Sequence, residues 1–332
     1  MPVITYREAI SAALREEMDL DPDVYQIGED IGIGGGAFGV TKGFLERYGP
    51  MRVVDAPLSE SGFVGMAAGS AQLGLRPVVE MQFADFVTET FKMLVDYAAG
   101  AHYRQVGPVP MVVRLPAGAL NSAGPFHSRN PEAWFYHTPG LKIVAPASPY
   151  DAKGLLKAAI RDDNPVLYIE YKKLYNLPPD AYPPALRTDV PEEDYTVPIG
   201  EAQVLREGED VTLITHGTMV LESLRAADDA EREGIDAEVV DPRSILPFDR
   251  EALLASVRKT GRVVIVHEDN KTGGVGSEWA AILAEEAFEW LDAPVRRVAA
   301  LDTPMPYSPP LEEACLPGAG GIAEALREVA GY

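Results

Sequence analysis

The fold class is set by VVDAPLSESGF at residues 53–63, where an apolar run gives way to a segment of small residues. Val53–Val54 predicts a buried strand, and Ser61–Leu73 predicts a helix whose small side chains let a ligand or another backbone come close. A second strand is expected at Val78–Met81. A strand, a helix and a strand in this order form the unit from which parallel sheets are built.

The same alternation extends along the chain. Further strands are expected at Val24–Ile27, Met111–Arg114, Ile143–Ala145, Val166–Glu170, Val211–Thr215, Ala237–Val240, Val263–His267 and Val295–Val298. Helices are expected after the capping box Thr5–Glu8, and at Phe83–Tyr103, Ser148–Arg161, Met219–Arg232, Arg250–Lys259 and Ser277–Trp290. Continuous apolar strands alternating with helices predict an α/β protein with parallel sheets covered on both faces.

The length of 332 residues favours two domains. Residues 176–198 hold six prolines and little periodicity, which is typical of a linker. The predicted organisation is therefore an N-terminal domain at 1–175, a linker at 176–198 and a C-terminal domain at 199–332.

Charge and composition exclude several classes of partner. The formal charge of −22 makes nucleic acid an unlikely partner, because phosphate contacts need clustered Lys and Arg. The charge favours solubility, with a basic protein partner as the alternative. Cys315 is the only cysteine, which fits a cytoplasmic protein without disulfides. The first eight residues do not form a signal peptide, and no apolar run of about 18 residues predicts a membrane span.

A glycine-rich motif at 34–39, GGGAFG, matches the dinucleotide-binding pattern G-x-G-x-x-G. That motif needs a strand directly before it and a helix directly after it. Here a polar stretch follows the preceding strand, and the following helix contains Gly43. The sequence context favours a flexible surface loop.

Ten short phrases identify a family when they are taken in order. They are GED 28–30, DAPLSESGF 55–63, GLRP 74–77, EMQFADF 80–86, HS 127–128, PGLK 139–142, DAKGL 151–155, RDDNP 161–165, KTGR 259–262 and DTP 302–304. Their order and spacing resemble the β subunits of the pyruvate, branched-chain 2-oxo acid and acetoin dehydrogenase complexes over nearly the whole chain.

The resemblance implies two three-layer α/β/α domains. The N-terminal domain would be a pyrimidine-binding thiamine-diphosphate fold, and the C-terminal domain would be like that of transketolase. In this family an α subunit holds the diphosphate and its magnesium ion through a G-D-G motif, which this chain lacks. The chain is therefore expected to form half of an active site in an α2β2 heterotetramer.

Glu60 is the main catalytic candidate. Taken alone, it is a carboxylate favoured by the helix dipole in a first turn. The resemblance implies that Glu60 hydrogen-bonds a ring nitrogen of the cofactor's aminopyrimidine and so promotes loss of the proton from the thiazolium carbon.

Other cofactor contacts follow from the same resemblance. Phe86 is expected to stack beside the pyrimidine, although Phe83 one turn away makes a core role its rival. Leu58 is expected to contact the ring and Gln82 to line the pocket. Glu29 matches a residue of a water-filled channel between two active sites, and Lys92 replaces an acid of that channel in many relatives.

His127 follows a Gly- and Pro-containing loop, and loops often carry chemistry. The resemblance places His127 near the thiazolium face, where it would guide the lipoyl group and assist reductive acylation. Arg129 stands where the family commonly has Gln. His137 matches a second family histidine, which precedes Pro139 and Gly140.

A potassium ion is also implied by the resemblance. Its ligands would be oxygens of Met111, Ala159, Ile160, Asp162 and Asn164, which suit a hard cation. The alternative for Asp162 and Asn164 is ordinary turn chemistry at the end of a helix.

The leading functional hypothesis is an enzyme subunit that, with its α partner, decarboxylates a 2-oxo acid and transfers the acyl group to lipoyl-lysine of the acyltransferase. The phrases at 80–86 and 131–134 slightly favour a branched-chain substrate over pyruvate, and acetoin stays open. The alternatives are a NAD-dependent oxidoreductase and a non-catalytic subunit that docks the basic subunit-binding domain of the acyltransferase.

Overall fold

The computed structural model describes residues 4–119 and 122–332. In these residues the strands are β1 (Val24–Gly28), β2 (Val53–Asp55), β3 (Arg76–Glu80), β4 (Val112–Ala117), β5 (Lys142–Val144), β6 (Val166–Tyr171), β7 (Gln203–Arg206), β8 (Val211–Thr215), β9 (Ala237–Asp241), β10 (Ser244–Leu246), β11 (Val263–Asn270) and β12 (Arg296–Ala300). The α-helices are α1 (Tyr6–Leu20), α2 (Phe44–Tyr48), α3 (Glu60–Gln72), α4 (Ala99–Ala101), α5 (Glu132–Tyr136), α6 (Pro149–Arg161), α7 (Thr218–Glu231), α8 (Arg250–Thr260), α9 (Gly276–Glu286), α10 (Pro309–Cys315) and α11 (Ala319–Ala330).

Two sheets organise the chain. The first has the order β10-β5-β6-β4-β3-β1-β2, and the second has the order β12-β11-β8-β9-β7. Neighbouring strands are parallel except for β10 against β5 and β7 against β9. The predicted α/β class with mainly parallel sheets is confirmed. Strand β10 lies beyond residue 198 in the sequence, yet it completes the first sheet.

The strands are apolar because helices cover them. Every residue of β1, β4, β6, β8 and β9 is buried. Helix α1 packs on α6, and α7 packs on α11. The predicted capping box is present in α1, where Thr5 Oγ1 accepts from the Glu8 amide at 3.3 Å and Glu8 Oε2 accepts from the Thr5 amide at 2.8 Å.

The segment predicted as one long helix at 83–103 is helical but irregular. It begins as a 3-10 helix at Ala84–Thr90 and continues through a π-helical part at Met93–Ala98 into α4. Helix α9 likewise ends at Glu286, before a 3-10 turn at Phe288–Trp290. No helix of the described residues combines the length and apolar character needed to cross a membrane.

Residues 176–198 follow the surface of both halves with short 3-10 turns at Pro179–Ala181 and Pro184–Leu186. Tyr182, Leu186 and Val197 are nevertheless buried. The segment is therefore packed against the protein body, and the domain boundaries drawn at its ends stay a prediction.

The glycine-rich motif forms a loop without the strand–loop–helix context of a dinucleotide site. The expectation of a surface loop is wrong in part, because Gly32 and Gly35 beside and within the motif are buried. A side chain at Gly36 would meet Glu80 Oε1 at 2.3 Å, and the φ of Gly36 is +78°. Close packing against the sheet explains why glycine is needed at these positions, so a bound nucleotide is not required to account for the motif.

Candidate active site

Glu60 lies at the carboxyl edge of the first sheet. Strand β2 ends at Asp55, and α3 begins at Glu60, so the predicted position between a strand and a helix is confirmed. Strand β1 is parallel to β2 and ends at Gly28, which brings Glu29 to the same edge. Ligands of open α/β sheets bind outside this edge.

Glu29 is a buried acid next to Glu60. Glu29 is 4% exposed, and both of its carboxyl oxygens lack a hydrogen-bond partner among the described residues. Burial raises the pKa of the Glu29 carboxyl, and the negative charges of Glu60 and Asp30 raise it further. An acid with a raised pKa that faces a second acid is a common feature of proton-transfer sites.

Gln82 and Leu58 are two further predicted pocket residues, and their surroundings differ. Gln82 Nε2 donates to Asp30 Oδ2 at 3.2 Å, which holds Gln82 at the ends of β1 and β3. Leu58 is 82% exposed, so no part of the described chain covers it. The Ser61 hydroxyl donates to the Glu89 carbonyl and so ties the start of α3 to the helical segment that carries Phe86.

His127 lies against two aromatic rings. Its ring centroid is 4.3 Å from that of Phe83 and 5.6 Å from that of Phe86, with edge-to-face geometry. Phe83 also packs on Phe38, and Phe83 and Phe86 are both half-buried. Burial therefore does not distinguish a core role from a functional role for Phe86. The structure brings Phe86 and His127 together.

No hydrogen bond or aromatic contact among the described residues joins the other three candidates to Glu60 or His127. His137 is exposed at the end of α5, and Lys92 is exposed within the irregular helix. Arg129 Nε donates to the Pro125 carbonyl at 3.1 Å and lies 3.7 Å from Asp85 Oδ1. Its guanidinium is therefore held by its own loop and by Asp85.

The predicted potassium ligands cluster, but most of their described carbonyls already accept hydrogen bonds. Arg76 Nη1 donates to the carbonyls of Ile160 at 3.0 Å and Asp162 at 3.1 Å. The Met111 carbonyl accepts from Val166 N at 2.9 Å, and the Ala159 carbonyl accepts from Asp162 N at 3.3 Å.

The turn chemistry proposed as the alternative is present as well, because Asp162 Oδ1 accepts from both nitrogens of Asn164. The ion stays a prediction.

A cavity of about 750 Å³ lies between the two halves of the chain. Ser128, Asn130 and Trp134 line one side, and Asp269 and Asp302 line the other. Neither Glu60 nor His127 lines the cavity, but Ser128 and Arg129, which directly follow His127, do.

A buried contact also joins the two halves. Glu132 Oε1 lies 3.5 Å from His216 Nε2, and both residues are at most 1% exposed. Burial lowers the pKa of His216 to about 3 and raises the pKa of Glu132 well above its usual range. Both shifts favour the uncharged form of each group.

Four residues near His127 were missed by the sequence reasoning: Asp85, Lys172, Glu268 and Glu312. Each one binds a backbone atom of Gly118, Ala119, Ser122 or Arg129, which flank His127 in the segment 118–129. Asp85 lies in the family phrase at 80–86, but nothing in the local pattern links any of the four to His127.

Comparison with known proteins is consistent with this geometry. The family model of the transketolase pyrimidine binding domain matches residues 3–178, and that of the transketolase C-terminal domain matches residues 200–322. The 2-oxoisovalerate dehydrogenase subunit beta of Bacillus subtilis is 44% identical, with 100% of both chains covered. The pyruvate dehydrogenase E1 component subunit beta of Staphylococcus epidermidis is also 44% identical, with 98% of both covered.

Solved structures share the fold. A split gene transketolase, described as an inactive β4 tetramer, superposes with a TM-score of 0.80 at 26% identity over 99% of both chains. A mutant transketolase from Pichia stipitis gives 0.70 at 15% identity over 100% of this chain and 46% of the other, which shows the fold alone. The chain therefore belongs to the β subunits of the thiamine-diphosphate-dependent 2-oxo acid dehydrogenase first components, built from transketolase-like pyrimidine-binding and C-terminal domains.

Proposed function

We propose that this chain, together with an α subunit, decarboxylates a 2-oxo acid on thiamine diphosphate and transfers the acyl group to lipoyl-lysine of an acyltransferase. The observation that carries the proposal is the pair Glu29 and Glu60 at the carboxyl edge of the sheet. The described chain supplies no hydrogen-bond partner for the Glu29 carboxyl, which lies beside Glu60.

The residues at this edge fit the aminopyrimidine half of the cofactor. A carboxyl group suits a basic ring nitrogen, and the half-buried Phe86 and exposed Leu58 offer apolar surface to a planar ring. When bound, thiamine diphosphate supplies the carbon nucleophile that adds to the 2-oxo group and takes up the electrons of the broken bond.

The chain's own residues have separate roles in this proposal. Glu60 holds a proton at the pyrimidine ring nitrogen, and Glu29 exchanges a proton with Glu60. Leu58 and Phe86 hold the ring, and Gln82 lines its pocket. His127 carries a proton during transfer to the lipoyl group, a role that suits imidazole near neutral pH.

The site is proposed to be one half of a shared centre in an α2β2 heterotetramer. The chain has no G-D-G motif, so the magnesium ion and the diphosphate are assigned to the α subunit. The related split gene transketolase is described as inactive in its β4 form, which supports a need for the other chain. The single cysteine supports a reducing compartment, the cytoplasm.

The test is co-expression with the α subunit, followed by turnover of pyruvate, 2-oxoisovalerate and acetoin with a lipoyl domain as acceptor. We expect turnover of a 2-oxo acid, with 2-oxoisovalerate preferred, only when both chains are present. Turnover by this chain alone, or no turnover by an assembled and cofactor-loaded pair, would contradict the proposal.

A purely structural role is the second candidate, because the charge of −22 suits a basic docking domain on the acyltransferase. It predicts that Glu60→Gln and His127→Ala leave turnover unchanged, whereas changes in the C-terminal half abolish complex formation. Docking and catalysis are compatible, so only silent Glu60 and His127 variants would favour the structural role alone.

A further inference from the structure

The segment 118–129 carries His127, and its described residues are 118–119 and 122–129. The Gly118 amide donates to the Arg129 carbonyl at 3.2 Å, which brings the two ends of the segment together. Gly118 has a φ of +80°, and a side chain at this position would meet Glu268 Oε1 at 2.7 Å. Glycine at 118 therefore allows a carboxylate from the second half of the chain to approach the backbone.

Two carboxylates of the second half hold this segment. Glu268, at the end of β11, accepts a hydrogen bond from the Ala119 amide at 2.7 Å. Glu312, in α10, accepts one from the Ser122 amide at 2.9 Å. Both acids are at most 6% exposed. Hydrogen bonds from amides to charged acceptors in such surroundings are among the strong ones.

The first half of the chain holds the ends of the same segment. Lys172 Nζ donates to the Gly118 carbonyl at 2.5 Å, and Asp85 Oδ2 accepts from the Arg129 amide at 3.3 Å. Burial lowers the pKa of Lys172 to about 8, while Asp85, Glu268 and Glu312 oppose that shift. One lysine and three acids therefore surround the base of the segment.

We propose that Glu268 and Glu312 are positioning residues for His127. By binding the Ala119 and Ser122 amides, the C-terminal half would fix these two residues and so the place of the imidazole against Phe83 and Phe86. The proposal rests on the proposed role of His127 in transfer to the lipoyl group. Neither acid is assigned any contact with substrate or cofactor.

The first test compares two activities of the assembled, cofactor-loaded enzyme: decarboxylation with an artificial dye as electron acceptor, and reductive acylation of a lipoyl domain. In Glu268→Ala and Glu312→Ala, acylation should fall about tenfold more than dye-coupled decarboxylation does, the loss expected for one charge-assisted hydrogen bond. Glu313→Ala is the matched control, because Glu313 is the exposed neighbour of Glu312 on α10.

Two further variants separate positioning from a general loss of structure. Glu268→Gln keeps an acceptor for the Ala119 amide and should recover most of the acylation rate. Combining Glu268→Ala with His127→Ala should be no worse than His127→Ala alone, because both changes remove the same function. Equal loss of both activities, or additive effects in the double variant, would overturn the proposal.

Hydrogen exchange gives a readout that does not depend on activity. The Ala119 amide in Glu268→Ala, and the Ser122 amide in Glu312→Ala, should exchange about tenfold faster than in the parent enzyme and in Glu313→Ala. Unchanged exchange overturns the proposal even in an active enzyme. Faster exchange in an enzyme without dye-coupled turnover supports the anchoring and contradicts only the proposed function.

Discussion

Arg114 lies between Glu80 and Glu170 in the middle of the first sheet, whereas Glu29 and Glu60 lie at its carboxyl edge without a cation within salt-bridge distance among the described residues. Arg114 donates to Glu170 Oε1 at 2.6 Å and Oε2 at 2.9 Å, and also binds Glu80. All three of these side chains are at most 5% exposed.

The contrast separates structural acids from acids that need an external partner. Buried charges in protein interiors are normally paired, since an unpaired one loses its hydration without compensation. The Arg114 group obeys this rule inside one chain. Glu29 has no such partner among the described residues. We therefore assign its partner to the cofactor or the second subunit.

The largest effect is expected from Arg114→Met. The variant leaves Glu80 and Glu170 buried and unpaired, so the free energy of unfolding should fall by about 3–5 kcal/mol. Urea unfolding measures this loss in the free energy of unfolding. Arg232→Met removes the exposed pair with Asp229 and should cost less than about 1 kcal/mol. Similar losses in the two variants would remove the distinction between the paired core and the surface.

A smaller effect of opposite sign is expected from Glu29→Gln. Because the folded state raises the pKa of Glu29, the contribution of this acid to stability is full below its unfolded pKa of about 4.3 and is lost as the pH rises. The isolated Glu29→Gln chain should therefore be more stable than the parent at pH 7, and the gain should vanish near pH 4.

The measurement for Glu29 is unfolding between pH 4 and pH 8. Glu193→Gln, a change at an exposed acid, serves as control and should give a difference that does not vary with pH. A Glu29→Gln chain that is less stable at pH 7 would show that Glu29 has a stabilising partner within the chain.

The smallest change in stability is expected from Leu58→Ser. Leu58 is 82% exposed, so the free energy of unfolding of the isolated chain should move by less than about 0.5 kcal/mol. Leu115→Ala, in fully buried β4, should cost about 2–5 kcal/mol. The assembled Leu58→Ser enzyme should bind thiamine diphosphate more weakly, which a cofactor titration measures. Unchanged affinity would remove Leu58 from the proposed pocket.

Much of the fold could be predicted because its central strands are continuously apolar. Strand β8 was predicted with both of its ends. The short antiparallel strand β10 was not, since its three residues show no periodicity and its partner β5 lies far away in the sequence. Helix α11 was missed because Gly320 and Gly321 weaken its helical pattern. Side-chain spacing at 83–103 also cannot distinguish 3-10 or π hydrogen bonding from α-helical bonding.

The site could be predicted only where residues lie close in sequence or belong to a family phrase. Glu60 is one of 51 Asp and Glu residues, and the phrase around it singled it out. The contacts of Glu268 and Glu312 join atoms 149 and 190 residues apart in the chain. No local pattern carries such information, because it arises only when the two halves pack together.

The most direct test of the central claim is dye-coupled decarboxylation by Glu60→Gln, measured after the variant has been shown to assemble with the α subunit. Glutamine keeps the size of the side chain but cannot hold the proton at the pyrimidine nitrogen. The account predicts normal assembly and a loss of turnover of at least about a hundredfold. Near-normal turnover by the assembled variant would contradict it.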